Sequence, residues 1–242
     1  MGRAQTFETG SDSMPEKHVA KAKIKTLLND LFTQRFNQAP GRMDIYLDER
    51  SLIVHLEHFM GDEMQNLIRL QDPDALRSVQ ELMFEHILPE LAGTIEAATG
   101  FRIGTFYYDW SDRDLSGMLV GLPEEQAYHK QEDYYSGKSD VHDTIGKVTY
   151  EIQKMPDEIY SYWAADHILV IVREGILIKI EKAFVDQGAS EILRKVKRNL
   201  EKEVIHLESD HIEQTLKRKI KDFYVDWSFE LDKSLLVYVF ED

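Results

Sequence analysis

Apolar residues change their spacing several times along the chain, and each change marks an element. From Glu16 to Phe36, Val19, Ile24, Leu27, Leu28, Leu31 and Phe32 recur at intervals of three and four, the stripe of an amphipathic helix, and Ala39-Pro40-Gly41 stops it. Asp44 to Leu47 and Leu52 to Leu56 then predict an antiparallel hairpin across a tight polar turn at Asp48-Glu49-Arg50. Glu63 to Leu70 predicts a short helix. Asp72-Pro73 supplies an N-cap followed by proline in the first helical position, opening a helix that carries Leu76, Val79, Leu82, Met83, Ile87, Leu91 and Ile95 as far as Gly100. Pro89 lies inside that pattern and is expected to kink or split it. Ile103 to Asp109 and Gly117 to Leu122 predict two further strands.

Between Pro123 and Asp140 the apolar period vanishes into Glu, Gln, Asp, Lys and Tyr, the composition of an exposed linker, and Tyr128, Tyr134 and Tyr135 suggest that part of it packs on a neighbouring surface. The pattern then restarts. His142 to Trp163 is expected to be helical through Ile145, Val148, Ile152, Ile159 and Tyr160, broken or bent at Pro156. His167 to Val172 and Ile176 to Ile180 read as a hairpin across Arg173-Glu174-Gly175. These runs are apolar enough to imply strands buried on both faces, at a contact between repeats or between chains. Gln187 to Lys219 predicts a long helix with Ile192, Leu193, Val196, Leu200, Val204, Leu207, Ile212 and Leu216, and Ile220 to Trp227 and Leu235 to Phe240 predict the closing strands.

The restart is a repetition. Phe106-Tyr107-Tyr108-Asp109-Trp110-Ser111 returns as Phe223-Tyr224-Val225-Asp226-Trp227-Ser228, each followed by a polar turn and an apolar strand. Upstream, Ser51-Leu52-Ile53-Val54-His55-Leu56-Glu57 matches Gly175-Ile176-Leu177-Ile178-Lys179-Ile180-Glu181 in pattern. The offset therefore falls from 124 to 117, and the long helix of the second half is expected to be seven residues shorter. A period above one hundred residues is duplication of a domain. The expected fold is α+β, in two tandem two-layer repeats, each with a helix, an antiparallel β-hairpin, a long helix and a terminal strand pair. The repeats occupy residues 16–122 and 141–242, with residues 123–140 a linker and residues 1–15 a disordered tail.

Composition sharpens this by exclusion. With 43% apolar and 30% charged residues among 242, the chain can build real cores beneath a solvated surface. A formal charge of −15 argues against nucleic acid and anionic membrane surfaces as partners. Zero cysteines exclude disulfides, thiolate metal sites and cysteine nucleophiles, and favour an intracellular location. No apolar run is long enough to span a bilayer, and the first fifteen residues lack the apolar core of a signal peptide. Met1-Gly2-Arg3-Ala4-Gln5-Thr6 fits the bare myristoylation pattern but reads as ordinary tail.

Candidate chemistry is sparse. On a strand His55 and Glu57 share a face and His58 points away, while the second copy offers lysines in their place, so no metal is expected there. His206 and His211 miss the one-turn spacing of paired helical ligands, and HExxH, Walker, GxGxxG and GxSxG patterns are missing. No catalytic residue and no cofactor is assigned. Asp109 and Asp226, each beside a tryptophan, admit two readings. One is a carboxylate of raised pKa poised for proton transfer; the favoured one is a structural corner in which the aspartate accepts backbone hydrogen bonds. If a ligand binds, the expected place is a pocket between the repeats at Tyr107, Asp109, Trp110, Tyr224, Asp226 and Trp227.

The first helix, the connector Pro40-Gly41-Arg42, the hairpin of Asp44-Ile45-Tyr46-Leu47 with Leu52-Ile53-Val54-His55-Leu56-Glu57, the long Glu-rich helix and the final strand together resemble the MpsC-like domain. That bacterial family is named for a subunit of a sodium-translocating, membrane-potential-generating system. The likeness runs over about Lys17 to Leu122 and about Val141 to Asp242, two copies of a domain usually found singly. The Gly-x-Gly-Pro type connector of the family is reduced to Ala39-Pro40-Gly41-Arg42, with Ala164-Ala165-Asp166 as its expected counterpart. The resemblance implies a non-enzymatic, cytoplasmic accessory protein linked to membrane cation or inorganic-carbon transport. Such a protein docks on a protein partner, a membrane transport complex, and a homodimer is also open. The competing reading is a small-molecule sensor or enzyme with its pocket between the repeats.

Overall fold

The computed structural model describes residues 14–37, 39–58, 66, 73–111, 116–124 and 133–241. The first half consists of α1 (Met14–Phe36), β1 (Arg42–Leu47), β2 (Leu52–Glu57), α2 (Pro73–Thr99), β3 (Ile103–Ser111) and β4 (Ser116–Pro123). The second consists of α3 (Lys138–Ile152), β5 (Glu158–Ala165), β6 (Ile168–Glu174), α4 (Lys179–Asp186), α5 (Ser190–Leu216), β7 (Ile220–Ser228) and β8 (Lys233–Phe240). Several expectations fall outside the described residues: the tail before Met14, the helix at Glu63 to Leu70 apart from Asn66, the N-cap at Asp72, the polar turn after Ser111 and the position of Tyr128; Met14 and Pro15, expected in the tail, instead open α1.

Each half folds into a four-stranded antiparallel sheet, in the orders β1-β2-β4-β3 and β5-β6-β8-β7. Side chains alternate across a strand, so every sheet has two faces to bury. One face of the first sheet packs beneath α1 and α2 around Ile24, Leu28, Phe32, Phe84 and Trp110. The matching face of the second packs beneath α3 and α5 around Val141, Ile145, Ile205 and Trp227. The remaining faces meet each other: Ile53, Tyr107, Met118 and Val120 pack with Tyr160, Tyr162, Val170, Tyr224 and Val237 in a third core common to both repeats. The molecule is thus layered helix, sheet, sheet, helix, and the strands buried on both faces lie at the contact between repeats.

Register corrects the alignment of the two halves. Leu52 faces Gly121 across β2 and β4, and Leu169 faces Tyr238 across β6 and β8, so both members of the pair are displaced by 117 positions. The true counterpart of β2 is β6, not Gly175 to Glu181, and the offset of 124 does not hold. Consequently the long helices are equal, α2 and α5 each having 27 residues. Nor does Pro89 divide α2, which runs unbroken through it. Pro89 is exposed, so the carbonyl it leaves without an N–H partner can face water.

The hairpin of the second half is likewise displaced. The helix expected over His142 to Trp163 ends at Ile152, and the turn at Pro156 leads into β5, because proline cannot donate into a helix and biases the residue before it toward extended backbone. Pro156 occupies the place that Pro40 holds between α1 and β1, so residues 153–157, not Ala164-Ala165-Asp166, form the second connector. The hairpin pairs β5 with β6 across Asp166 and His167, and Arg173 and Glu174 belong to the strand. Ile176 and Leu177 are apolar without being a strand: both N–H groups donate to Asp232 Oδ1, at 2.9 and 2.8 Å, which removes them from any ladder. Lys179 then opens α4, whose Glu181 accepts from the Ile178 N–H at 2.9 Å. Of the linker tyrosines, Tyr135 packs edge-on to Trp163 and bonds Ser161 at 2.8 Å, whereas Tyr134 is fully exposed. Lys138 to Asp140 already belong to α3.

Candidate functional site

Where β3 and β7 run side by side, the two sheets meet edge to edge and the recurring aspartates cross between them. Asp109 Oδ2 accepts the backbone N–H of Val225 at 2.9 Å, and Asp226 Oδ2 accepts the N–H of Tyr108 at 2.9 Å. The exchange is reciprocal, as at a two-fold axis. Strand edges expose unpaired N–H groups that favour association, and here each edge is closed by a carboxylate from the opposite repeat. Both aspartates sit inside strands instead of at the turn expected for them.

The long helices deliver the matching cations. Arg77 of α2 donates to Asp109 Oδ1 at 2.9 Å, and Arg194 of α5, 117 positions later, donates to Asp226 Oδ1. Asp109 collects two more charges from α5, Lys202 at 2.7 Å and Arg198 at 3.4 Å, and Lys202 also donates to the Trp110 carbonyl at 2.8 Å. Across the axis, buried Arg198 pairs with Glu81 of α2. These two are equivalent positions of the repeats, so opposite charges meet where two identical subunits would have met with like ones.

Charge number separates the two aspartates. Burial alone would push the Asp109 carboxyl up, but Lys202, Arg77 and Arg198 overcome it and hold the group below the usual carboxylate range. Burial prevails at Asp226, which is raised despite Arg194 and the Tyr108 N–H. Asp109 is therefore kept ionised, with both oxygens engaged.

A second polar cluster crosses the same contact deeper in. Tyr224 O–H lies 2.7 Å from Ser116 Oγ and 3.1 Å from His55 Nε2, and Asp222 accepts from Ser116 at 3.3 Å. Burial lowers the His55 pKa, with Glu57 opposing, and keeps the ring neutral at neutral pH. Burial drives the Tyr224 phenol far above its ordinary range. Arg50, in the turn between β1 and β2, reaches Asp133 of the linker (2.7 Å) and, in the second repeat, the Trp163 carbonyl (3.0 Å), lying over the Tyr162 ring.

The six residues expected to line a pocket are all buried, and four of them, Tyr107, Asp109, Tyr224 and Asp226, line one small space, whereas the two tryptophans lie apart from it. Tyr107 and Tyr224 belong to the core between the sheets, whereas Trp110 and Trp227 face opposite helical layers. The space among Tyr107, Asp109, Tyr224 and Asp226 is about 10 Å³, room for one water. A larger groove of about 270 Å³ opens between α2 and α5, lined by Arg77, Glu81, Tyr108, Arg194, Lys195 and Arg198 among others. Among the described residues, no three histidine or acidic side chains gather as a metal site, and no helix is long and apolar enough to cross a membrane. Sequence reading missed Arg77, Arg194, Arg198 and Lys202. Leu76-Arg77-Ser78-Val79 returns as Leu193-Arg194-Lys195-Val196 at the same offset as the aspartates, a signal obscured by the displaced alignment.

A family model described as Na+-translocating membrane potential-generating system (MpsC) matches residues 16–122 and 141–242. No curated protein and no solved structure matches the chain.

Proposed function

Because the chain belongs to the MpsC family, carrying two tandem copies of a domain described with a Na+-translocating membrane-potential-generating system, we propose that it is a non-catalytic accessory protein of such a system. On this reading it works on the cytoplasmic side, held at the membrane by a protein partner, and the recurring aspartates serve as clasps that join the repeats into a pseudo-dimer. The two domains lie in residues 16–122 and 141–242 with the linker between them. The observation that carries the reading is that the recurring aspartates are engaged by backbone and cations of the two repeats themselves. The space among Tyr107, Asp109, Tyr224 and Asp226 is about 10 Å³, and the Asp109 carboxylate is shared among three cations and a backbone N–H. Function then falls to the outer surfaces. Affinity purification of the tagged chain from gently solubilised membranes should recover a cation-translocating membrane subunit; a chain that purifies alone from membrane and soluble fractions alike would overturn the proposal.

One observation favours a second reading, a small-molecule sensor: the polar groove of about 270 Å³ between α2 and α5. Arg77, which lines it, donates to the Trp110 carbonyl, so a ligand there should alter Trp110 fluorescence. A metabolite panel that leaves the emission unchanged would remove this alternative.

A further inference from the structure

Two positions of the long helices reverse their charge between the repeats. Glu81 and Glu85 of α2 return, 117 positions later, as Arg198 and Lys202 of α5, while Arg77 returns as Arg194 and Asp109 as Asp226. Both reversed positions lie where the repeats meet. Buried Arg198 pairs with Glu81 and stands 3.4 Å from Asp109, and Lys202 reaches Asp109 at 2.7 Å. Glu85 lies 3.5 Å from the hydroxyl of Tyr108, the residue whose N–H Asp226 accepts. A copied surface that pairs across a two-fold axis begins with residues opposite their own counterparts, so the reversal has to be acquired.

Its effect is on which repeats can pair. As the chain folds, Arg77, Arg194, Arg198 and Lys202 meet Asp109, Asp226, Glu81 and Glu85, four cations against four acidic groups. Glu191 and Lys195, the other charged residues lining the groove, offset each other. Two first repeats joined in the same way would bring two cations against six acidic groups, with Glu81 facing Glu81. Two second repeats would bring six cations against two acidic groups, with Arg198 facing Arg198. Like charges are costly in a contact where little water screens them. We propose that these faces form a recognition surface that admits only an unlike repeat. The first repeat, made first during synthesis, is thereby kept from joining the first repeat of a neighbouring chain. Two copies can join through this surface only by exchanging repeats, the first of each with the second of the other. The selection does not depend on the accessory role, since it rests only on contacts between the repeats.

The test uses two full-length variants, Arg198→Glu, acidic at both positions, and Glu81→Arg, basic at both. Each alone should sediment as a destabilised monomer. Unfolded together and refolded as a mixture, they should form a dimer containing one of each, identified by native mass spectrometry, because exchange restores Glu81 opposite Arg198 in one contact and reverses the pair in the other. That dimer should appear at concentrations about a hundredfold or more below any dimer of either variant alone. A variant that fails to fold by itself leaves the readout intact, since folded protein is then recovered only on mixing. Glu81→Arg/Arg198→Glu in one chain should be a monomer more stable than either single variant. A mixture that yields no mixed dimer overturns the proposal, as does a dimer of either variant alone that forms as readily as the mixed one, or a double variant no more stable than the single ones.

Discussion

A single carboxylate decides much of how the repeats hold together. Asp109→Asn keeps the shape of the side chain but leaves Arg77, Arg198 and Lys202 without their shared anion. Breaking a buried pair from one side costs about 3–5 kcal/mol, so chemical denaturation should show a loss of that order, larger than for Asp226→Asn. Acid titration separates the pair further. The Asp109 carboxyl lies below its unfolded value, so its contribution is present above about pH 4 and is lost as pH falls through the folded pKa. The raised Asp226 runs the other way, contributing below its unfolded pKa and losing that contribution as pH rises through the folded one. Unfolding free energies measured against pH should therefore show a flattened acid limb in Asp109→Asn and a steeper one in Asp226→Asn. His55 adds a milder dependence. Its folded pKa is lowered, so the stability it carries is present above about pH 6.5 and declines below it. His55→Val, the residue found at the matching Val172, should cost about 1 kcal/mol for the lost Tyr224 hydrogen bond and remove that part of the decline.

At the scale of elements, the same plan is executed with different chemistry in the two repeats. Beneath α2, Leu56 and Phe84 fill the space under Trp110, with Phe84 and Trp110 rings 4.9 Å apart. Beneath α5, the equivalent positions are Arg173 and Glu201, a fully buried pair at 2.6 Å that also engages Thr149, Ser234 and the Trp227 indole N–H. A buried ion pair seldom improves on well-packed apolar residues, although removing one member is severe. Glu201→Ala should thus cost about 3–5 kcal/mol, whereas Arg173→Leu/Glu201→Phe, which copies the first repeat, should recover most of it in thermal melts. Helix ends differ as well. Gly100 follows α2 with φ +76°, and Lys217 follows α5 with φ 55°, a left-handed conformation that costs an ordinary side chain about 1 kcal/mol. Lys217→Gly should raise stability by about that amount.

The whole molecule folds around a core that neither half owns. Because the sheets bury their inner faces only against each other, neither repeat can lose its structure without exposing the other's apolar surface, so the unfolding transition should be single. Variants that retain only Trp110, or only Trp163 and Trp227, should report coincident denaturation midpoints. The sequence by itself determined the duplication, the α+β class, the first repeat nearly element by element and the strands that close each half, because these rest on local periodicity and on Pro and Gly at the turns. It misled at the second hairpin. Ile168 to Val172 and Ile176 to Ile178 look equally apolar, and whether such a run becomes a strand depends on which groups take its N–H donors. Asp232 takes two of them from the far side of the repeat. Only tertiary structure could decide that, and only it could decide what Asp109 and Asp226 do: the backbone N–H groups they accept lie more than one hundred residues away, joined to them by the stacking of two sheets that no local pattern records.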